Sequence, residues 1–416
     1  MFTSFSTALS ALSAMSTAID VTGNNLANLN TIAFKASDVS FHDLVTQSIG
    51  AGLENAQVGF GVGTPTTEAL FTQGAIQTTG GALDAAIQGD GFFLIQGPDG
   101  GTEYTRAGNF QTDSSGNLET ATGQQVQGWT QTNGVLDTNA PPSNITIPTG
   151  TVQPPVVTQN ISFSLNLNAA ATAGSANGTF ATSVTIYDSL GVSHVVTATF
   201  TEDPTVAGQW DYSLSIPNAD LANPPGTPLT GAINFNSSGV LINPAQGAAS
   251  PQLAITGLAD GAADMTVNWN LYNGTTPDIT QFAQDSSVSA VTQDGSPAAQ
   301  LTTVAISTNG AVLAQFSNGQ QTVVGQLAMA TIRNPDSLIA AGDNNYELSS
   351  ASALPAVGLP GTGGRGTVEG GAVESSTVDI ATEFTNLITY QRGYEANSKI
   401  VNATDEISQD TISLIK

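Results

Sequence analysis

Two histidines are the first residues to weigh for chemistry in this 416-residue chain, His42 and His194. They fall in different predicted domains. Neither has a second His or Cys at ligand spacing, which argues against zinc. Neither can be tied to a serine nucleophile, and no Gly-x-Ser-x-Gly elbow is present. Both therefore read as lone histidines satisfied at the surface. Gly89-Asp90-Gly91 and Gly361-Thr362-Gly363-Gly364-Arg365-Gly366 are glycine-rich, but no Lys-Ser/Thr follows and neither opens a helix. They read as a turn and a linker, not as phosphate loops. The acidic pairs Glu202-Asp203 and Asp405-Glu406 read as solvated faces, and no calcium-loop pattern occurs. Cysteine is absent, which removes thiol and disulfide chemistry. No catalytic, cofactor-binding or metal residue is assigned, and an enzyme is the least favoured class.

What remains is chemistry of association, carried by the two ends. Phe5, Ala8, Leu12, Met15, Ile19, Thr22, Leu26 and Leu29 follow an alternating three-four spacing. Near the other end Ile380, Leu387, Tyr394, Val401 and Ile415 lie seven or fourteen apart, flanked by Phe384 and Ile412. Each segment predicts an amphipathic helix with a narrow apolar seam that wants another helix. Short helices are marginal alone, because nucleation is costly. The seams are accordingly expected to be completed by other molecules, with the ends ordering on assembly. Asn24, Asn25 and Asn28 crowd into five positions of the first helix. Asn is a poor helix interior residue, because its amide competes for backbone hydrogen bonds. The cluster marks a helix end or a specific helix contact. The last helix is expected to begin near Ser376, with Asp379 at capping-box spacing.

Between the helices the pattern is strands and turns. Phe92-Phe93-Leu94-Ile95 reads as a buried strand ended by Gly97-Pro98-Asp99-Gly100-Gly101. Turn signals follow at Ser115-Gly116, Gly123 and Asn133-Gly134. Pro141-Pro142 and Pro154-Pro155 bracket a linker, since proline cannot feed a central strand. Beyond it, Val184–Tyr187 and Val195–Phe200 flank the turn Asp188-Ser189-Leu190-Gly191, and Trp210–Leu214 alternates. Trp129, Trp210 and Trp269 lie in predicted strands, where core filling is favoured over a carbohydrate platform. Ala305–Ser307 and Ala311–Leu313 flank Asn309-Gly310, resuming the first β pattern. The expected fold class is α+β and multidomain. Discontinuous terminal helices form one layer, and two mostly antiparallel β-rich domains follow, the second inserted into the first. The expected boundaries are 1–34 plus 375–416 for the helical domain and 35–74 plus 355–374 for a connector. The first β-domain is 75–145 plus 283–354, and the inserted domain is 146–282.

Thirty-three acidic groups against seven basic ones give a formal charge of −26. No Lys or Arg occurs between Arg106 and Arg333. Such a chain repels nucleic-acid phosphate and anionic lipid, so neither nucleic acid nor direct membrane insertion is expected. A charge-paired self-interface would have to draw on Lys35, Arg106, Arg333 and Arg392. The apolar share is 40%, too high for a disordered chain. No basic-plus-apolar signal peptide opens the sequence.

Three separated motifs resemble one family. Asn24-Asn25-Leu26-Ala27-Asn28 with Ala33-Phe34-Lys35 resembles the N-terminal signature of bacterial flagellar rod and hook proteins. Tyr390-Gln391-Arg392-Gly393-Tyr394-Glu395-Ala396-Asn397 resembles the C-terminal one. Ala86–Phe93 with Tyr104–Phe110 is similar to the family's core segment. The resemblance covers roughly the first and last thirds. It implies a structural subunit, without cofactors, that polymerises with itself into a flexible curved tube, a universal joint between rod and filament. The inserted domain favours a hook-type over a distal rod-type subunit. A secreted β-rich adhesin or carbohydrate-binding module is the alternative of another class. The resemblance further implies type III export without a cleaved signal, with Phe5 and Leu9 as an export element. Rod, hook-cap, hook–filament junction and export-apparatus proteins are the implied partners. The terminal helices would form the inner tube, with Leu12, Met15, Ile19 and Leu26 packing on Phe384, Leu387, Tyr394 and Val401 of the same or adjacent subunits. Asn25 and Asn28 would fix the register.

Overall fold

The computed structural model describes residues 2–44, 47–48, 57–132, 135–150 and 152–413. The Asn133-Gly134 turn and Ile415 lie outside them. Two long helices stand at the ends, α1 (Phe2–Ala27) and α2 (Ile380–Ser413), and strands fill the sequence between. The described chain divides into two compact units. One comprises Met1–Thr149, Thr303–Gln315 and Gln321–Lys416; the other comprises Gly150–Thr302 and Phe316–Gln320.

In the first unit, α2 starts four residues later than expected. Asp379 is the cap itself: its Oδ1 accepts the Thr382 N–H at 2.9 Å, and its carbonyl accepts the Glu383 N–H at 3.0 Å. The carboxylate satisfies one of the orphan amides of the first turn. The buried strand Phe92–Gln96 is the hub of the unit's sheet. It pairs antiparallel with Thr102–Thr105 through the turn at Gly100, whose φ of +80° suits glycine. It also pairs with Gln125–Thr132 and Met329–Thr331. Phe92, Tyr346 and Phe71 meet edge-to-face beside Trp129, whose indole N–H donates to the Ala140 carbonyl at 2.7 Å. Late strands return onto early ones: Thr367–Gly370 pairs with Ala85–Gln88, and Ala372–Glu374 with Ile76–Thr78. Ala356–Gly358 also pairs with Met329–Thr331, so the segment 355–374 expected to be a connector carries three strands.

The second unit holds two five-stranded sheets. One is an antiparallel run of Thr179–Tyr187, Ser193–Glu202, Gln209–Ser215, Leu229–Phe235 and Leu241–Asn243. The other centres on Asn160–Asn168, where every second residue is buried. That alternation is what a sheet with one core face requires. Met265–Asn270 and Ile279–Phe282 run parallel to this strand, and Ser287–Gln293 runs antiparallel. The last pairing corrects the expected boundary at 282. Ser287–Gln293 exposes most of its side chains at a sheet edge, so it lacked the apolar signal of a domain strand. Trp210 and Trp269 are fully buried, and Trp269 meets Tyr212, Phe163 and Phe200 ring to ring. Burial removes both from any carbohydrate platform.

Candidate assembly surface

Both helices belong to the first unit and pack along one another. Asn25 meets Glu383, and a Cβ built on Gly393 would stand 3.1 Å from Met15 Sδ. Ten residues back on α1 match ten residues forward on α2, so the pair is antiparallel. This corrects the expectation that the seams lack a partner within the chain. The buried face of α1 is Ala8, Ala14, Ala18, Thr22 and Asn25, which are small or polar. Leu12, Met15, Ile19 and Leu26 are half-buried. The spacing argument found the right side of the helix but centred it on the large residues. Small residues lie innermost because they admit close approach of backbones.

Asn25 is 1% exposed and joins three elements. Its amide donates to Glu383 Oε1 at 2.9 Å and to the Ser37 carbonyl at 2.8 Å, and its Oδ1 accepts the Ser37 N–H at 3.0 Å. Asn28 does something else. It lies just past α1, where its amide donates to the Asn24 carbonyl and its Oδ1 accepts the Thr31 hydroxyl. It closes the helix end and makes no bond to α2. Thus two asparagines three residues apart divide into a fastener and a terminator.

Beside this junction is a buried ion cluster. Lys35 Nζ lies 2.6 Å from Glu374 Oε1 with both side chains fully buried, and Arg106 Nη1 lies 3.5 Å from Glu374 Oε2. Burial pulls the Lys35 ammonium below its ordinary range, against the pull of Glu374. Lys35 and Arg106 are therefore committed inside the unit and unavailable to a charge-paired self-interface. Arg333 and Arg392 are exposed. Burial also raises the Glu383 carboxyl; the Asn25 amide opposes this, while Asp38 and Asp379 add to it.

Glu383 supplies a pH prediction. A raised pKa means that the folded state holds the proton more tightly than the unfolded one. The stabilisation is complete below the ordinary glutamate value and is lost as pH rises through the raised value. Acidification from neutrality toward pH 5 is thus expected to firm the helix junction. Glu383→Gln, which keeps the oxygen that accepts from Asn25, is expected to flatten that dependence and match or exceed wild type at pH 7. Thermal unfolding at several pH values checks this. An unchanged pH slope in the variant would show that another group is responsible.

Apolar side chains stand among the polar residues of the outward faces. Phe384 is 52% exposed, and Ile380 and Ile388, four residues to either side, flank it on the same ridge. Tyr394, Ile400, Ile407 and Ile412 are also exposed, while Leu387 and Val401 are half-buried. On α1, Phe5 and Leu9 are exposed. Scattered apolar residues on a surface are ordinary, whereas these fall in a row along one long helix. No helix among the described residues is long and apolar enough to cross a membrane.

The histidines separate. His42 is exposed and lies 3.1 Å from the Thr66 hydroxyl. His194, read from the sequence as a surface residue, is buried among Asp188, Asp220 and Asp260. Asp188 and His194 are six residues apart across one hairpin, a signal that a search for His or Cys partners passes over.

Four stretches match known families. Residues 5–35 match the flagella basal body rod protein family, and 86–166 match the D1 domain of the flagellar hook protein FlgE/F/G. Residues 162–296 match the D2 domain of the flagellar basal body protein FlaE, and 369–414 match the C-terminal domain of the flagellar basal body rod FlgEFG proteins. The flagellar hook protein FlgE of Borreliella burgdorferi is 32% identical over 448 residues, covering all of both chains. That of Escherichia coli K12 is 32% identical over 424 residues, covering 99% of each. The crystal structure of Helicobacter pylori flagellar hook protein FlgE2 shares the fold, with a TM-score of 0.52 and 16% identity over 70% of this chain and 99% of that one.

Proposed function

Because this chain belongs to the flagellar hook protein family, we propose that the α1–α2 pair is the surface through which its copies polymerise. The protein is a structural subunit of the bacterial flagellar hook, in the part of the flagellum outside the cell. The observation that supports the assembly surface is the exposed ridge Ile380–Phe384–Ile388 on a helix pair already joined within one chain. A pair held by Asn25 and Glu383 presents a preformed ridge, so association need not fold both helices from nothing. Leu12, Met15, Ile19, Leu26, Leu387, Tyr394 and Val401 flank the pair and are the further contacts of the proposed interface. Phe5 and Leu9, exposed near the start of α1, remain free to act first as an export element. Contacts that repeat without closing would generate a helical tube. Its ends would meet rod, hook-cap and hook–filament junction proteins.

Electron microscopy of purified protein across a sodium chloride series tests the driving force. With −26 per subunit, like charges oppose packing, and their reach falls to a Debye length of about 8 Å near physiological salt. The critical concentration for tubes is expected to fall severalfold as salt rises from low ionic strength. Tubes that dissolve as salt increases would shift the interface to charge pairing at Arg333 and Arg392.

A further inference from the structure

The second unit contains a charged cluster that polymerisation by the terminal helices does not use. Strand Thr179–Tyr187 ends at Asp188, and the turn through Gly191, at φ +84°, returns the chain to His194. Asp188 Oδ1 accepts the Leu190 and Val192 amides at 2.8 and 2.9 Å. Its Oδ2 is thereby aimed at His194 Nε2, 3.2 Å away. On the other side of the ring, Asp220 Oδ2 lies 3.1 Å from Nδ1. The Asp220 carbonyl accepts the Ala259 amide at 2.9 Å, which brings Asp260 alongside. Asp260 Oδ2 lies 3.5 Å from Nε2. Its Oδ1 accepts the Ala262 amide at 2.9 Å, and the next residue's amide donates to Ser189 Oγ at 3.0 Å. Three loops are fastened to each other around one imidazole.

Charge and donor geometry agree on what this cluster lacks. Three carboxylates outnumber the single positive charge the imidazole could carry, which leaves a negative excess around the buried Asp188 and His194 side chains. In the neutral imidazole, a hydrogen bond from Nδ1–H to Asp220 turns the Nε2 lone pair toward two carboxylate oxygens. Three lone pairs then converge, an arrangement relieved either by a proton on Nε2 or by a metal cation standing between them. The donor atoms of Asp188, His194 and Asp260 all lie within 4.8 Å of one another. Ligands about 2.0–2.2 Å from a tetrahedral metal stand roughly 3.3–3.5 Å apart, close to the 3.2 and 3.5 Å separations at Nε2. A calcium shell of six to eight oxygens is not supplied here, and imidazole with carboxylates suits first-row transition metals. Asp188 and His194 are buried while Asp260 is exposed, which leaves a route for the ion and a fourth position for water.

We propose that Asp188, His194 and Asp260 bind a divalent transition-metal ion, with Asp220 orienting the imidazole, and that the ion clamps these three loops of the second unit. The full-length protein, stripped with chelator and dialysed, is titrated with Zn²⁺ by calorimetry and with Co²⁺ by visible absorption. One equivalent per chain is expected, with a tetrahedral Co²⁺ spectrum and a Zn²⁺-dependent rise in unfolding temperature. Asp220→Asn is expected to weaken binding by about ten- to a hundredfold, the usual loss for an outer partner of a ligating histidine. Asp260→Asn, at an exposed position, should weaken Zn²⁺ binding and lose the tetrahedral spectrum while the apo protein stays folded by circular dichroism. Absence of stoichiometric Zn²⁺ and Co²⁺ binding in the wild type would make the cluster a proton-held ion network and overturn the proposal. So would wild-type binding by folded Asp260→Asn. His194→Gln is expected to bind neither ion, and full retention would equally refute the site.

Discussion

Glu374→Ala is expected to cost the first unit about 3–5 kcal/mol, the usual penalty for breaking a buried ion pair from one side. Glu374 is fully buried. Its Oε1 accepts from Lys35 Nζ at 2.6 Å and from the Gly74 amide at 2.7 Å, and its backbone carbonyl accepts the Ala33 amide at 2.8 Å. Lys35 also donates to the Thr72 carbonyl at 2.6 Å. One carboxylate thus fastens the segment leaving α1, the end of the connector and the strand leading to α2. Truncation leaves Lys35 and Arg106 buried without their counter-charge. Lys35 can relieve part of the loss by releasing its proton, since burial already favours the neutral amine. Arg106 cannot, because a guanidinium stays charged. Urea unfolding of wild type, Glu374→Ala, Lys35→Met and the double variant measures this. The single changes should be strongly non-additive, because each removes the same contact. A loss below about 1 kcal/mol for Glu374→Ala, on the scale of an exposed ion pair, would mean the cluster does not hold the chain ends together.

Phe384→Ser is expected to raise the critical concentration for tube formation about tenfold while leaving the soluble protein's unfolding curve nearly unchanged. Half of this side chain is already exposed in the single chain, so folding gains little from it. Burying the rest between subunits would contribute roughly 1–1.5 kcal/mol, half the value for a whole phenylalanine. At 1.4 kcal/mol per decade that is about tenfold. Ile388→Ser, one turn along the same ridge, should act alike, and the pair together should abolish tubes at working concentrations. The comparison with Leu387→Ala is informative. Leu387 is half-buried, so its truncation should both soften the helix pair and weaken assembly. Pelletable polymer and monomer stability are measured on the same preparations. Wild-type assembly by Phe384→Ser would remove the ridge from the interface.

Whatever depends on local order along the chain is legible from its residues alone. Helix periodicity located α1 and α2 because amphipathic spacing is a property of consecutive residues. Turn chemistry located the hairpins at Gly100, Gly191 and Gly310, since a positive φ favours glycine wherever the chain folds back. The absence of cysteine and the charge of −26 set limits that no fold could alter. Three motif blocks carried the family resemblance, and full-length relatives bear it out. Tertiary structure alone decided which residues meet. Asn25 and Glu383 are 358 positions apart, and Lys35 and Glu374 are 339 apart. Nothing in either neighbourhood names its partner. The same holds for burial. Ala14 and Ala18 lie innermost, ahead of Leu12 and Ile19, because helix approach distance depends on both surfaces, and the sequence of one helix states only one. Ser287–Gln293 joined the second unit through backbone hydrogen bonds at a sheet edge, which leave no mark on side-chain pattern. His194 became a buried ion centre only because loops at Asp220 and Asp260 fold over it. A residue's neighbours in space are set by the whole chain's packing, whereas a pattern in sequence records only what each element needs on its own face.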